Sequence, residues 1–170
     1  MPHILKPKFF NKGVVMKSLV VFYSRSGTTR KVGQAIADTL KCDVEEIIDT
    51  ANRRGLFGWM RSGRDAMRKR LTVIQPTKLN PTDYDVVIIG TPNWGNIFTP
   101  AIRTYITQNR TKIKNIAFFT TCGGSAFGKI FNELQKFCGK QPITTLGLTQ
   151  KEVKQDQFIN KVRSFASKIK

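Results

Sequence analysis

Leu19-Val20-Val21-Phe22-Tyr23-Ser24-Arg25-Ser26-Gly27-Thr28-Thr29 decides the fold. Its first half is a continuous β-branched and aromatic run, the pattern of a strand buried on both faces. Its second half groups hydroxyl-bearing residues around one glycine and opens into a helix. Val32, Ile36 and Leu40 recur there at helical spacing from Thr29 to about Lys41. A buried strand, a polar glycine turn and an amphipathic helix make the start of a β-α-β unit.

Working outward, the same alternation continues to the last residue. Val44-Glu45-Glu46-Ile47-Ile48 carries two consecutive charges, which suits an edge strand. Val86-Val87-Ile88-Ile89 is a second buried strand, followed by a helix with Thr99 as its cap and Pro100 in its first turn. Ile116-Ala117-Phe118-Phe119 is a third. Phe127, Ile130, Phe131, Leu134 and Phe137 mark an amphipathic helix, Ile143 to Leu148 is the last strand, and Phe158, Val162, Phe165 and Ile169 stripe a closing helix. Five strands alternating with helices predict a three-layer, doubly wound α/β domain with a five-stranded parallel sheet. The common five-strand order, 2-1-3-4-5, puts the charged second strand at an edge.

That domain is expected over 17–170. Residues 1–16 are basic, with no acid and no clear periodicity, and are predicted to be a flexible arm, with Met16 as an alternative start. Residues 51–71 hold seven lysines and arginines against one acid, Asp65. In that segment Leu56, Met60, Gly63, Met67 and Leu71 recur at helical spacing beside Arg61, Arg64 and Arg68, so a basic amphipathic helix is predicted. Its readings run from an ordinary packing helix to a surface for an acidic redox partner, nucleic acid or an anionic membrane.

Composition narrows the functions. A chain of 170 residues, 40% hydrophobic, suits one globular domain. No apolar run approaches the ~18 residues of a membrane span, and the N-terminus lacks a secretory pattern. A cytoplasmic protein is expected. Cys42, Cys122 and Cys138 lack metal-ligand spacing and His3 is the single histidine, so neither a zinc site nor a disulfide framework is predicted. The net charge of +18 attracts something anionic: nucleic acid, an acidic protein, a membrane face or a phosphorylated cofactor.

In doubly wound sheets ligands sit at the carboxyl ends of the strands, where strand order reverses. Three loops meet there. Ser24, Arg25, Ser26, Gly27, Thr28 and Thr29 combine four hydroxyls, a permissive glycine and helix-start amides, which is the chemistry of a phosphate cradle. A single cap would need one hydroxyl. Thr91, Pro92, Asn93, Trp94, Gly95 and Asn96 follow the third strand and place an indole among small polar residues. Thr121, Cys122, Gly123 and Gly124 follow the fourth, and paired glycines let backbone approach a ligand closely.

The run Tyr23-Ser24-Arg25-Ser26-Gly27-Thr28-Thr29 resembles the phosphate loop of the flavodoxin family, which binds flavin mononucleotide (FMN) non-covalently. The resemblance covers about Lys17 to the C-terminus and departs at Arg25, where flavodoxins usually carry no cation. It implies that Trp94 covers the flavin ring, that Gly95-Asn96 changes its hydrogen bond on flavin reduction, and that amides after the fourth strand meet the ring's pyrimidine edge. It implies electron transfer, and the cationic surface would suit an acidic redox partner. The alternative is an FMN-dependent NAD(P)H:quinone or related reductase, with NAD(P)H attracted by the cationic surface. A non-catalytic nucleic-acid-binding module is the third reading, although no nucleic-acid motif is present. Gly123–Lys129 mimics a P-loop, but Ile130 stands where Ser or Thr should hold magnesium.

Overall fold

The computed structural model describes residues 15–51, 56–58, 60, 64 and 70–169. The predicted arm therefore lies almost entirely outside the described residues, as does most of the basic segment. Within that segment Leu56, Phe57, Gly58, Met60 and Arg64 are helical.

Five parallel strands form one sheet: β1 (Ser18–Phe22), β2 (Asp43–Glu46), β3 (Val86–Pro92), β4 (Asn115–Cys122) and β5 (Thr145–Thr149). Their order is β2-β1-β3-β4-β5, as the charge on the second strand required. Burial follows position. β1 is buried at every residue, β3 and β4 at all but their ends, whereas β5 alternates and β2 has no buried residue. Central parallel strands are covered on both faces and so read as unbroken apolar runs; edge strands do not.

Helices cover both faces: α1 (Thr28–Leu40), α2 (Pro100–Asn109), α3 (Gly128–Cys138), α4 (Gln150–Lys154) and α5 (Ile159–Ser167). On one face Leu19, Val21, Val87, Ile89 and Phe118 pack with Ile102, Tyr105, Ile130 and Leu134 from α2 and α3. On the other, Val20, Phe22, Ile88, Phe119 and Leu148 pack with Val32 and Ile36 of α1 and with Phe158, Val162 and Phe165. Successive strand residues thus feed opposite cores, as the period-2 geometry of a strand requires.

Two glycines make room for phenylalanines in the second core. A Cβ on Gly33 of α1 would stand 2.5 Å from the Phe22 ring, and one on Gly90 of β3 would overlap the ring of Phe119 on β4. Gly90 is registered against Phe22 on one side and Phe119 on the other. Alanine at Gly90 would therefore overpack a ring that is fully buried.

One predicted boundary shifts and one helix is added. The predicted closing helix is α5, and ahead of it Thr149 and Glu152 form a capping box that starts the short α4 directly after β5. Ile143, expected in the last strand, precedes it and is 39% exposed. A short antiparallel bridge, Asp49 to Ile74, also extends the β2 edge.

Candidate functional site

α1 begins differently from an ordinary capped helix. Gly27 precedes it at φ 91°, a left-handed conformation that favours glycine. The Gly27 and Arg30 amides both donate to Ser24 Oγ, at 3.1 and 3.2 Å, and this folds the loop back on itself. No side chain at the cap position bonds the helix start. The Thr28 and Thr29 amides have no acceptor among the described residues. Helix-start amides must find a partner somewhere, and an anion is the partner that the helix dipole favours.

The nearby cations are spent elsewhere. Arg30 donates through Nε and Nη2 to both carboxylate oxygens of Glu46, at 2.7 and 2.8 Å, and that bond raises its pKa further. Lys31 Nζ pairs with Asp156 at 2.7 Å. Arg25 is exposed, as is Ser26, whose Oγ lies 3.5 Å from Thr28 Oγ1. The loop itself therefore offers backbone amides and hydroxyls.

Thr29 looks the other way. It is 2% exposed and shares a 2.9 Å hydrogen bond with Thr121 Oγ1 at the end of β4. Asn93 then joins the remaining loop: its amide donates to the Thr121 carbonyl at 2.9 Å and its Nδ2 to the Ala126 carbonyl at 3.4 Å. Thr91, fully buried, accepts the Thr99 amide at 3.2 Å, and Thr120 donates to the Thr91 carbonyl at 2.7 Å. Thr99 holds the cap position of α2, but its hydroxyl meets Thr91 at 3.4 Å and caps nothing. The structure brings all three predicted loops together and turns Thr29, Thr91 and Thr121 inward.

Trp94 and Ile97 exchange amide–carbonyl bonds of 3.0 and 3.3 Å around Gly95 and Asn96, both at positive φ (64° and 66°). This is a two-residue hairpin of type I′, which demands positive φ at both central positions. The Asn96 amide donates to Asn93 Oδ1 at 2.7 Å, so any rotation of the Gly95–Asn96 peptide has to break that bond. Trp94 is half-buried, edge-on to Tyr23 with ring centres 6.1 Å apart. The sequence places Tyr23 at the end of a strand and the head of the phosphate-loop run, and neither pattern marks a tyrosine as the support of a distant indole.

Cys122, predicted to follow the fourth strand, is the last residue of β4; it is half-buried and its Sγ accepts the Gly124 amide at 3.4 Å. Gly123 and Gly124 are exposed, and side chains added there or at Gly95 would meet no atom within 4 Å. Burial pushes the thiol of Cys42 up to about 11 and that of Cys138 up to about 12, which disfavours their thiolate forms. Among the described residues no cluster of His, Cys, Asp and Glu could hold a metal, and no helix is long and apolar enough to cross a membrane.

A doubly wound sheet with an open helix start after β1 and an aromatic turn after β3 belongs to the class of α/β proteins that bind phosphorylated cofactors at the sheet's carboxyl edge. More narrowly, the sequence profile of the flavodoxin family matches residues 17–164, and the chain belongs to that family. Solved structures agree on the fold. A flavoprotein from Lactobacillus acidophilus NCFM in complex with FMN superposes with a TM-score of 0.69 at 20% identity, over 82% of this chain and 97% of that chain. A protein from Bacteroides eggerthii DSM 20697 gives 0.69 at 26% identity, over 85% and 97%. Two-electron reduced Megasphaera elsdenii flavodoxin gives 0.54 at 18%, over 89% and 98%. No curated protein sequence matches the chain.

Proposed function

We propose that this chain is an FMN-binding electron carrier. Its phosphate cradle is the Ser24–Thr29 loop, and its ring site lies between the Trp94 turn and the Thr121–Gly124 loop. FMN is the cofactor supported by flavodoxin membership and by the FMN complex of the L. acidophilus flavoprotein. The observation that carries the reading is the pair of acceptor-free amides, Thr28 and Thr29, at the start of α1. Such a pair fits a phosphate dianion, with the Ser26 and Thr28 hydroxyls as further donors and Arg25 within the same loop.

When bound, the flavin supplies the redox chemistry, and the protein supplies position and electrostatics. Ser24 holds the loop closed. The Thr29, Thr91 and Thr121 side chains hold the loops against each other, so Thr29 meets the ligand through its backbone amide alone. Trp94 covers an aromatic face, and the open glycines at 123 and 124 favour close approach of backbone amides to the ring's polar edge. Asn93 Oδ1 holds the Gly95–Asn96 amide, and with it the direction of the Gly95 carbonyl.

A carrier is favoured over a reductase because the three loops hold no carboxylate and no histidine. The carboxylates beside α1 and after β5, Glu46, Asp156 and Glu152, are engaged by Arg30, Lys31 and Lys161. The test is an absorbance titration of the purified protein with FMN, followed by anaerobic stepwise reduction. Saturable binding with reduction in separate one-electron stages supports the carrier. Rapid bleaching by NADPH in a single two-electron step would replace it with the reductase, and absence of FMN binding would remove both.

The charge adds an expectation. No acidic residue occurs between Asp85 and Glu133, a span that contains both ring loops. Anionic surroundings oppose an anionic reduced flavin, and this span supplies none. The potential of the second electron should therefore lie above that of an acidic flavodoxin, and a redox titration giving an equally low value would refute this.

A further inference from the structure

At the sheet edge, residues 48–50 and 72–75 form a closed base on either side of the basic segment. The Thr50 amide donates to the Val73 carbonyl at 3.0 Å and the Gln75 amide to the Ile48 carbonyl at 2.9 Å. Thr72 Oγ1 donates to Asp49 Oδ1 at 2.8 Å. The Thr72 amide donates to Thr104 Oγ1 at 3.0 Å, while the Thr104 hydroxyl donates back to the Thr72 carbonyl at 2.9 Å, which staples this base to α2.

A segment tethered by polar bonds has no need of apolar side chains in water. Yet of the nine large apolar residues exposed among the described ones, five are Leu56, Phe57, Met60, Leu71 and Val73. Phe57 is 86% exposed and Val73 70%. Single exposed apolar residues are ordinary, but a group of them within one short, strongly basic stretch points to a contact surface.

Beside Leu71 a cavity of about 590 Å³ is lined by Arg103, Thr107, Glu133, Lys136 and Phe137. Arg103 is 4% exposed, its guanidinium 4.1 Å from the Phe98 ring centre and 4.7 Å from that of Phe137. Its Nε and Nη2 are buried without a hydrogen-bond partner. In Arg30 these same two atoms grip the carboxylate of Glu46. Glu133 lines the cavity too and offsets one of its two cations, and the aromatic rings stabilise the guanidinium. Burial still pushes the Arg103 pKa down, as expected of a cation short of counter-charge.

We propose that this face docks on an anionic lipid surface, with Leu56, Phe57, Met60, Leu71 and Val73 entering the headgroup layer. The cationic recess beside Leu71 would take a lipid phosphate. Leucine, phenylalanine and methionine set among arginines is the composition of an interfacial helix. A net charge of +18, carried by basic residues along the whole chain, fits an extended anionic plane better than the limited acidic patch of one protein. The inference is independent of which cofactor the carboxyl edge holds.

The experiment is sedimentation of the full chain with vesicles of phosphatidylglycerol and phosphatidylcholine in equal parts, against phosphatidylcholine alone. Binding should be confined to the anionic vesicles. Phe57→Ser and Leu71→Ser should each weaken it about tenfold, since each removes an apolar side chain from the buried contact. Lys136→Glu should weaken it as well. All three side chains are exposed, and unchanged thermal melting would establish that the variants fold. Absence of binding to anionic vesicles overturns the proposal. So does binding that both serine variants retain in full, which would mean adhesion by charge alone. Displacement by soluble polyglutamate with no loss in the serine variants would likewise overturn it and point to an acidic protein.

Discussion

α1 and α4 both begin at the carboxyl edge of the sheet, one after β1 and the other after β5, and they begin in opposite ways. At α4 the Glu152 amide donates to Thr149 Oγ1, and the Thr149 amide donates back to the Glu152 carboxylate. Lys161 donates to the same carboxylate. At α1 no cap-position side chain bonds the helix start, and the first two amides stay open. α1 is instead held from behind, by the buried Thr29–Thr121 bond. A saturated start serves the stability of the helix. A start anchored behind and open in front can serve a ligand, because its donors are still available when the ligand arrives.

The contrast is sharpest if the open start is altered in front. Ser26→Ala should leave stability within about 0.5 kcal/mol, since an exposed hydroxyl is removed. FMN affinity should fall by about tenfold or more, as a hydrogen bond to a charged group contributes about 1.5–3 kcal/mol. Equilibrium titration beside urea unfolding separates the two effects, and an unchanged Kd would break the assignment of this loop to the phosphate.

Altering the anchor behind should do the reverse. Thr29→Val leaves the Thr121 hydroxyl buried without its partner and should cost about 1–3 kcal/mol in urea unfolding. Thr29→Val combined with Thr121→Val replaces both partners and should recover most of that loss. A double variant no more stable than the single one would deny the pair its anchoring role.

At the saturated start, Thr149→Ala should cost about 1 kcal/mol, the usual loss for a cap. FMN affinity should not change. A shift in Kd would mean that α4 also contributes to the ligand edge.

The smallest effect is one of pH. Lys161 first, then the Thr149 amide and hydroxyl, hold the Glu152 carboxyl down to about 2 from an ordinary 4.5. A depressed carboxylate stabilises the fold above its unfolded pKa and loses that contribution as pH falls through the folded one. The loss therefore belongs between about pH 4.5 and 2. Because the carboxylate is partly exposed, solvent screening should keep it to about 1 kcal/mol or less. Acid melting of the wild type against Glu152→Gln would read it as a difference confined to that window.

Much of this was legible in the chain. The runs Leu19–Tyr23, Val86–Ile89 and Ile116–Phe119 announced central strands because burial on both faces leaves no polar position, and the charges at 45 and 46 announced an edge. The three ligand-edge loops were legible for the same kind of reason: hydroxyls, glycines and an indole set among small polar residues are not the composition of a core. The short α4 was not legible, because its signal is a polar capping box, whereas the apolar stripe that marks the closing helix starts only at Phe158.

What the sequence by itself determined is therefore the periodicity and its consequences: strand, helix, strand order, and the composition of the loops at the carboxyl edge. What only the tertiary structure decided is which polar groups are spent and which are left. Thr29 and Ser26 are chemically similar and three residues apart, yet one is bound to Thr121, 92 positions away, and the other is exposed. Arg30 and Arg103 carry the same group, yet one finds a carboxylate and the other two phenyl rings. A hydrogen bond needs two groups within about 3 Å, and for groups far apart along the chain only the completed packing brings them that close.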